Sequence, residues 1–520
     1  MKNKYVKFVF SIFLVLLLAS SLTTADKILL DKSSITTNDQ FIFEEDYDPN
    51  ANIEIKVTIK EIRAFDELDK RSEADFYVKV FINDEKIVSP VWRNKDVVYE
   101  KWDAIKDVPD DEEYVDIVIQ LWEKDFGRDT LCDIARNDND DTDRHDLHLT
   151  YSIKNGHWLG DDFISIPHMW YPDYSGYGRA SGTDDNTIYE HDDDCEIWFD
   201  ITQTDPDGDT IPYWSEVNEF DTDPLVDDTG LDQDEDGIPY EWEFKWGQLL
   251  SYNHHTHDLE QYWIYSPIEY NDHVNLDPDE DSIDNYEEYL TTAWNSDPFR
   301  KDIFVELDEM EAGPNGEPEC IFPDGAKELI IKAFNRQNII FHLDDGVMGG
   351  YEKIPFDNKG DNTTRYECDQ YYYDYFLHGD EDFWKRGVFH YGVLVYNATW
   401  AGWNFRIDAY QISYKHLENY DKKIITGPRD VIFASDYMHE LGHSLGLTWL
   451  GGHVQGSGSI FNPLFYKFLP YKSIMNYAYM YGLYWRNLVD YSDGSEGKND
   501  FDDWSNIDYT YFDYIEREDY

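Results

Sequence analysis

From Asn52 to about Asp200 apolar and polar residues alternate with a period of two. The runs Ile53–Ile59, Phe76–Ile82 and Val115–Trp122 each repeat the alternation, the pattern of half-buried strands. This predicts an all-β sandwich over residues 26–200. From Ile303 the pattern changes. Ile303–Leu307, Ile339–Leu343 and Val388–Tyr396 read as strands, Gly325–Gln337 as an amphipathic helix, and Asp430–Leu447 as a second helix free of proline. Strand, helix, strand in that order predicts an α+β domain over residues 301–520. Residues 201–300 between them show no long period and read as an acidic linker region. At the start, Lys2, Lys4 and Lys7 precede the apolar run Phe8–Leu18 and the small residues Thr23-Thr24-Ala25. That is the layout of a secretory signal over residues 1–25, with an apolar run too short to span a bilayer. The expectation is a secreted or extracellular, multidomain protein.

Charge narrows the partners. The 520 residues hold 109 Asp+Glu against 43 Lys+Arg, a formal charge of -66. A nucleic acid would be repelled, so none is expected as a partner. Disorder is not expected either, because 41% of residues are hydrophobic and 17% aromatic, enough for several cores. The acid therefore serves solubility, salt adaptation or cation binding. The four cysteines of an exported chain suggest disulfides, Cys132 with Cys195 and Cys320 with Cys368. Asn362-Thr363-Thr364 and Asn397-Ala398-Thr399 are glycan acceptor sequences.

The aspartates of the middle region choose among those roles. Asp205, Asp207 and Asp209 precede Glu216; Asp232, Asp234 and Asp236 precede Glu243; Asp277, Asp279 and Asp281 precede Glu288. Each set fills positions 1, 3, 5 and 12 of a twelve-residue frame, the ligand spacing of an EF-hand loop. Ile211, Ile238 and Ile283 stand at position 7 each time. Several Ca²⁺ ions are therefore expected. The segments resemble thrombospondin type-three calcium repeats, including the turns Asp221–Pro224 and Asn295–Pro298. Gly237 keeps the glycine of position 6, where Thr210 and Ser282 replace it in the other two copies.

Acid also clusters between the predicted strands of the sandwich, with Asp69 and Asp75 before one run and Glu123, Asp125 and Asp133 after another. Two loops of oxygen ligands at one end of a sandwich suit Ca²⁺; a calcium-free sandwich with solvated acidic loops is the alternative. The stretch resembles a C-two domain, the calcium- and lipid-binding sandwich, on Asp69, Asp75 and the strand that follows, and on Glu123-Lys-Asp125. That resemblance implies the fold and a contact with membrane surfaces.

The C-terminal helix contains His439-Glu440-Leu-Gly-His443. Histidines at i and i+4 share one helical face, so both imidazoles reach one Zn²⁺, and the adjacent Glu440 can take a proton from water there. A solvated surface helix would instead need no apolar flank, yet Met438, Leu441 and Leu445 surround the pair. With Gly446 and the later Ser473-Ile-Met475-Asn-Tyr477, the segment resembles the metzincin zinc endopeptidases over roughly residues 301–490. The resemblance implies a methionine turn at Met475 beneath one zinc ion and a tyrosine, Tyr477, that binds the metal or the oxyanion. It places a third histidine where this chain has Trp449. Between Ser444 and Leu488 there is no Asp, Glu or Cys, and the one histidine is His453. His453 is the expected third ligand, with His342 and His390 as rivals. The function expected is zinc endopeptidase action on a protein or peptide substrate. The alternative is a non-catalytic, calcium-dependent surface adhesion protein with a degenerate protease domain.

Overall fold

A computed structural model describes residues 46–69, 72–135, 145–162, 177–183, 193–253, 258–346, 348–356, 362–447 and 456–512. The signal segment, Trp449 and His453 lie outside the described residues. The N-terminal strands are β1 (Glu54–Ala64), β2 (Phe76–Ile82), β3 (Glu85–Val88), β4 (Val97–Val98), β5 (Trp102–Asp107) and β6 (Tyr114–Glu123). They continue as β7 (Thr130–Leu131), β8 (Leu147–Ser152), β9 (His157–Gly160), β10 (Arg179–Ser181) and β11 (Cys195–Gln203). One sheet runs β10-β11-β1-β4 with β5 also on β1, and the other runs β3-β2-β6-β8-β9 with β7 also on β6. Inward residues at period two, such as Ile55, Val57, Val78, Val80, Ile117 and Ile119, fill the core between them. A bulge between Ile59 and Glu61 shifts the register of β1, and beyond it Arg63 is buried where the alternation alone would leave it exposed.

The middle region carries α1 (Tyr240–Gly247), the hairpin β12 (Gln248–Asn253) with β13 (Asp258–Trp263), and α2 (Asn285–Thr291). Its apolar nuclei are small and aromatic, with Ile211, Phe220, Tyr240 and Phe244 in one and Ile238, Trp242, Trp246 and Phe299 among those of another.

The C-terminal sheet is built from β14 (Asp302–Met310), β15 (Ile340–Asp344), β16 (Lys353–Ile354), β17 (Phe389–Val395), β18 (Gly402–Asn404) and β19 (Ala409–Ser413). Its order is β15-β14-β17-β19-β18, with β16 also on β14. All neighbours are parallel except β18, which lies antiparallel at the edge. Strand β17 is buried at every position, as a parallel sheet covered on both faces requires. Helix α3 (Asp324–Arg336) connects β14 to β15 and turns Ala326, Ile330, Ala333 and Phe334 inward at helical spacing. Helix α4 (Tyr414–Asp421) follows β19, and α5 (Arg429–Ser444) packs against α3, with Phe322 set on Phe433 and Tyr437.

A linker reading predicts two bodies held apart. In the structure they touch directly, and the residues from Tyr47 onward form one compact unit. Arg63 pairs with Glu328 of α3, and Tyr99 donates to the same carboxylate at 2.7 Å. Arg179 donates to Asn338 at 2.6 Å and to the Asn335 carbonyl at 2.9 Å, while Asn335 donates to Glu196 at 2.9 Å. Arg336 reaches back to the Phe65 carbonyl at 3.2 Å. These groups are mostly buried and satisfy one another across the boundary.

The expected disulfides are absent. All four cysteines are buried thiols. Cys195 lies within hydrogen-bonding reach of Cys132, and burial holds its thiol well above the ordinary range. The Cys368 thiol is pushed up to about 12, first by burial. Thiols so protonated are poor nucleophiles for exchange. No helix among the described residues is long and apolar enough to cross a membrane.

Candidate active site and cation loops

Helix α5 is buried along nearly its whole length, and that burial fixes its histidines. His439 Nδ1 donates to the Ile474 carbonyl at 3.0 Å, and His443 Nδ1 donates to the Leu447 carbonyl at 3.0 Å. A carbonyl only accepts, so both rings carry their proton on Nδ1 and keep the lone pair on Nε2, the atom a metal would take. The ring centroids are 5.0 Å apart and perpendicular. Burial pushes His439 down to about 3, with His443 as a second cause, and pushes His443 down to about 4. Neutral imidazoles at physiological pH are what metal ligation needs.

The surroundings follow from close packing. A side chain at Gly442 would stand 2.6 Å from Met475 Sδ, so this glycine lets the methionine lie directly beneath the helix. Gly446 ends the helix at φ +81°, with Leu447 N donating to the Gly442 carbonyl at 2.9 Å, a left-handed stop. Tyr477 is 39% exposed and stacks on His439 with centroids 5.5 Å apart. His439, Glu440, His443 and Tyr477 all line one cleft of about 1150 Å³, whose lining also includes Trp403 and Arg406. Burial, and then the Asp436 carboxylate, hold Glu440 well above the usual carboxylate range.

Three cleft residues are absent from the motif reading. Asp436 accepts from Tyr481 OH at 2.7 Å through Oδ1, while its buried Oδ2 has no hydrogen-bond partner. Burial pushes it up to about 7 against that hydrogen bond. Its place one turn before Glu440 puts it on the same face, a signal the spacing does contain. Gly402 on β18 has no such signal: a Cβ there would meet Glu440 Oε1 at 2.6 Å and Asp436 Oδ2 at 2.9 Å. His416 also lines the cleft and donates Nε2–H to the Ala398 carbonyl at 3.0 Å.

The rival ligands are placed elsewhere. His342 on β15 pairs with Asp302, and His390 on β17 stacks on Phe512 with centroids 4.5 Å apart. Both are buried sheet residues outside the cleft lining.

The three acidic frames close the same way. The position-6 N–H donates to the position-1 carboxylate from Thr210 to Asp205, from Gly237 to Asp232 and from Ser282 to Asp277, at 2.6, 3.0 and 3.0 Å. The isoleucine N–H at position 7 donates to the position-5 carboxylate from Ile211, Ile238 and Ile283, at 2.9, 3.0 and 2.8 Å. Position 6 is left-handed in all three, at φ +97° for Gly237 but also +76° for Thr210 and +78° for Ser282. The companion Asp221 and Asn295 are left-handed too. In each frame the three aspartates can offer oxygens within 4.8 Å of one another. Glu216 converges with Asp209 and Asp228, and Glu243 with Asp236 and His273. The position-3 residues Asp207, Asp234 and Asp279 all carry buried oxygens without hydrogen-bond partners. Burial, then the neighbouring aspartates, push Glu216 up to about 8 and Glu243 up to about 10. Orphaned, crowded carboxylate oxygens at Ca²⁺ spacing fit a hard cation.

At the end of the sandwich Glu123 is pushed up to about 7 by burial and then by the charges of Asp125, Asp69 and Asp75. Asp75 also takes Arg93 at 2.8 Å. Asp133 is engaged elsewhere, accepting from His145 at 2.7 Å and from the Ala135 N–H at 3.0 Å.

No protein-family model matches the chain, and no curated protein matches it. Among solved structures, a C2 domain matches at 12% identity over 29% of this chain and 98% of its own, with a TM-score of 0.16. A C2 domain protein from Ramazzottius varieornatus matches at 11% identity over 29% and 87%, with a TM-score of 0.17. Human GIVD cytosolic phospholipase A2 matches at 13% identity over 29% of this chain, which spans 16% of that enzyme, with a TM-score of 0.17. The likeness concerns an N-terminal part of this multi-sheet, largely β chain.

Proposed function

We propose that the protein is an exported zinc endopeptidase of metzincin type, ordered by calcium bound in its acidic loops. The observation that supports it most is the pair of buried His439 and half-buried His443, each imidazole oriented by a backbone carbonyl, beside Glu440 in an open cleft. His439 and His443 would hold Zn²⁺ with a third ligand, His453 by the sequence. Zn²⁺, when bound, supplies Lewis acidity toward the scissile carbonyl and the attacking water, and the positive charge that lets Glu440 ionise. Glu440 then accepts the proton of the water and delivers it to the departing amine. The Tyr477 hydroxyl, in the cleft beside His439, donates to the developing oxyanion. Among the described residues β18 pairs only with β19, so its other edge would receive an extended peptide, and Gly402 lets β18 itself lie close to Glu440.

Casein digestion by mature protein and by Glu440→Ala tests this, with zinc measured in both. The variant is expected to lose about 10²–10⁴-fold of kcat/KM while keeping its zinc. Equal activity in the variant would remove Glu440 from the chemistry. Zinc-free, inactive wild-type protein that still clusters cells in calcium would favour the adhesion alternative.

A further inference from the structure

The third acidic loop differs from the other two in depth. Asp279, Asp281 and Glu288 are 3%, 3% and 1% exposed. Both Glu288 carboxylate oxygens and Asp279 Oδ2 are buried without a hydrogen-bond partner. What covers them is the C-terminal sheet. Asp302, the first residue of β14, donates its N–H to Asp281 Oδ2 at 2.6 Å. Asp302 is itself 2% exposed, so its side chain is shut into the same interior as the loop carboxylates that its backbone contacts. Four buried carboxylates thus share one volume. The nearby ammonium of Lys301 offsets part of the charge on Asp279 and Asp281, but it donates to the carbonyls of Asp279 and Glu280 and lies over the Tyr509 ring.

Asp302 is held in that place from two sides. The Asp297 N–H donates to its Oδ2 at 3.0 Å, and His342 of the neighbouring parallel strand β15 donates to Oδ1. Each carboxylate oxygen has a second lone pair, so both remain able to ligate. The loop frame alone supplies six oxygens: three aspartates, a position-7 carbonyl and a bidentate glutamate. Ca²⁺ takes six to eight.

We propose that Asp302 is a further calcium ligand, supplied to the third loop by the first strand of the C-terminal sheet and oriented by His342. Calcium at this loop is then a component of the cleft-bearing body, while the first two loops converge on residues of the middle region itself, Asp228 and His273. This rests on the calcium reading of the loops and is independent of proteolytic activity.

Calorimetric titration of calcium into chelator-treated full chain tests it, with Asp302→Asn, Glu288→Gln and Glu216→Gln run alongside. Asp302→Asn is expected to weaken one site at least tenfold, the same site that Glu288→Gln loses, and to add independently to Glu216→Gln. A calcium isotherm unchanged by Asp302→Asn, or a loss additive to that of Glu288→Gln, overturns the assignment. Should Asp302→Asn fail to fold, His342→Leu keeps the carboxylate and removes its tether. It should weaken the same site severalfold, and an unchanged isotherm again overturns the proposal. Wild-type protein that takes up no calcium would sink the calcium reading itself, whereas normal uptake with an indifferent Asp302 sinks only this inference.

Discussion

The histidine pair of α5 and the acidic loops are both candidate cation sites, and they are built on opposite principles. The histidines are neutral groups oriented by backbone carbonyls on a helix that packs against Met475 at Gly442, so their geometry stands without an ion. The loops gather like charges whose crowding is unfavourable until a cation arrives. A site of neutral ligands can be organised in advance, whereas a site of carboxylates is organised by what it binds.

Hydrogen exchange would break this contrast most decisively. Ligand at a hundredfold excess over its dissociation constant stabilises a folded site by about 2.7 kcal/mol, or about a hundredfold in opening. Chelation should therefore raise exchange by about that factor in residues 205–216, 232–243 and 277–288, and leave the amides of α5 protected. Equal loosening of α5 and the loops would erase the distinction.

A smaller effect follows from titration. Glu216 and Glu243, at about 8 and about 10, lie above their unfolded values in calcium-free protein. A carboxyl raised on folding contributes stability that is full below its unfolded pKa and lost as pH rises through the folded one. Calcium-free protein should therefore melt several degrees lower at pH 8 than at pH 5. Calcium-loaded protein should not show this fall, since the ion replaces the protons. A melting temperature that rises with pH in chelator would contradict the loop assignment.

The smallest test uses backbone strain. Thr210 and Ser282 hold the left-handed conformation that Gly237 adopts without penalty. Thr210→Gly should raise calcium affinity or stability by about 0.5–1 kcal/mol, and Gly237→Ala should lower it by more. Denaturant melts at fixed calcium check both.

What the sequence revealed was local. The i, i+4 histidines, the aspartates at positions 1, 3 and 5 of each frame, and the β1, β2 and β6 alternation all depend on neighbours within one element, and the structure brings each together. The residues it hid are those whose role depends on distant chain. Asp302 meets Glu288 only because β14 starts beneath the third loop, and Gly402 meets Glu440 only because β18 lies at the sheet edge over α5. His342 and His390 looked like ligands because a histidine in a strand gives no sign of which neighbour it faces. Asp133, counted with the sandwich cluster by its spacing, follows β7 and turns to His145 instead.

The bulge in β1 has a consequence for the order in which the chain is made. It turns Arg63 away from the sandwich core, onto the face where its partner Glu328, 265 residues further along, covers it. A ribosome adding about 5–20 residues each second completes the sandwich strands long before α3 exists. During that interval the guanidinium has only Glu61 and Glu196 of its own sheet to answer its charge. The sandwich is thus synthesised with an unfinished face, and the arrival of α3 closes it.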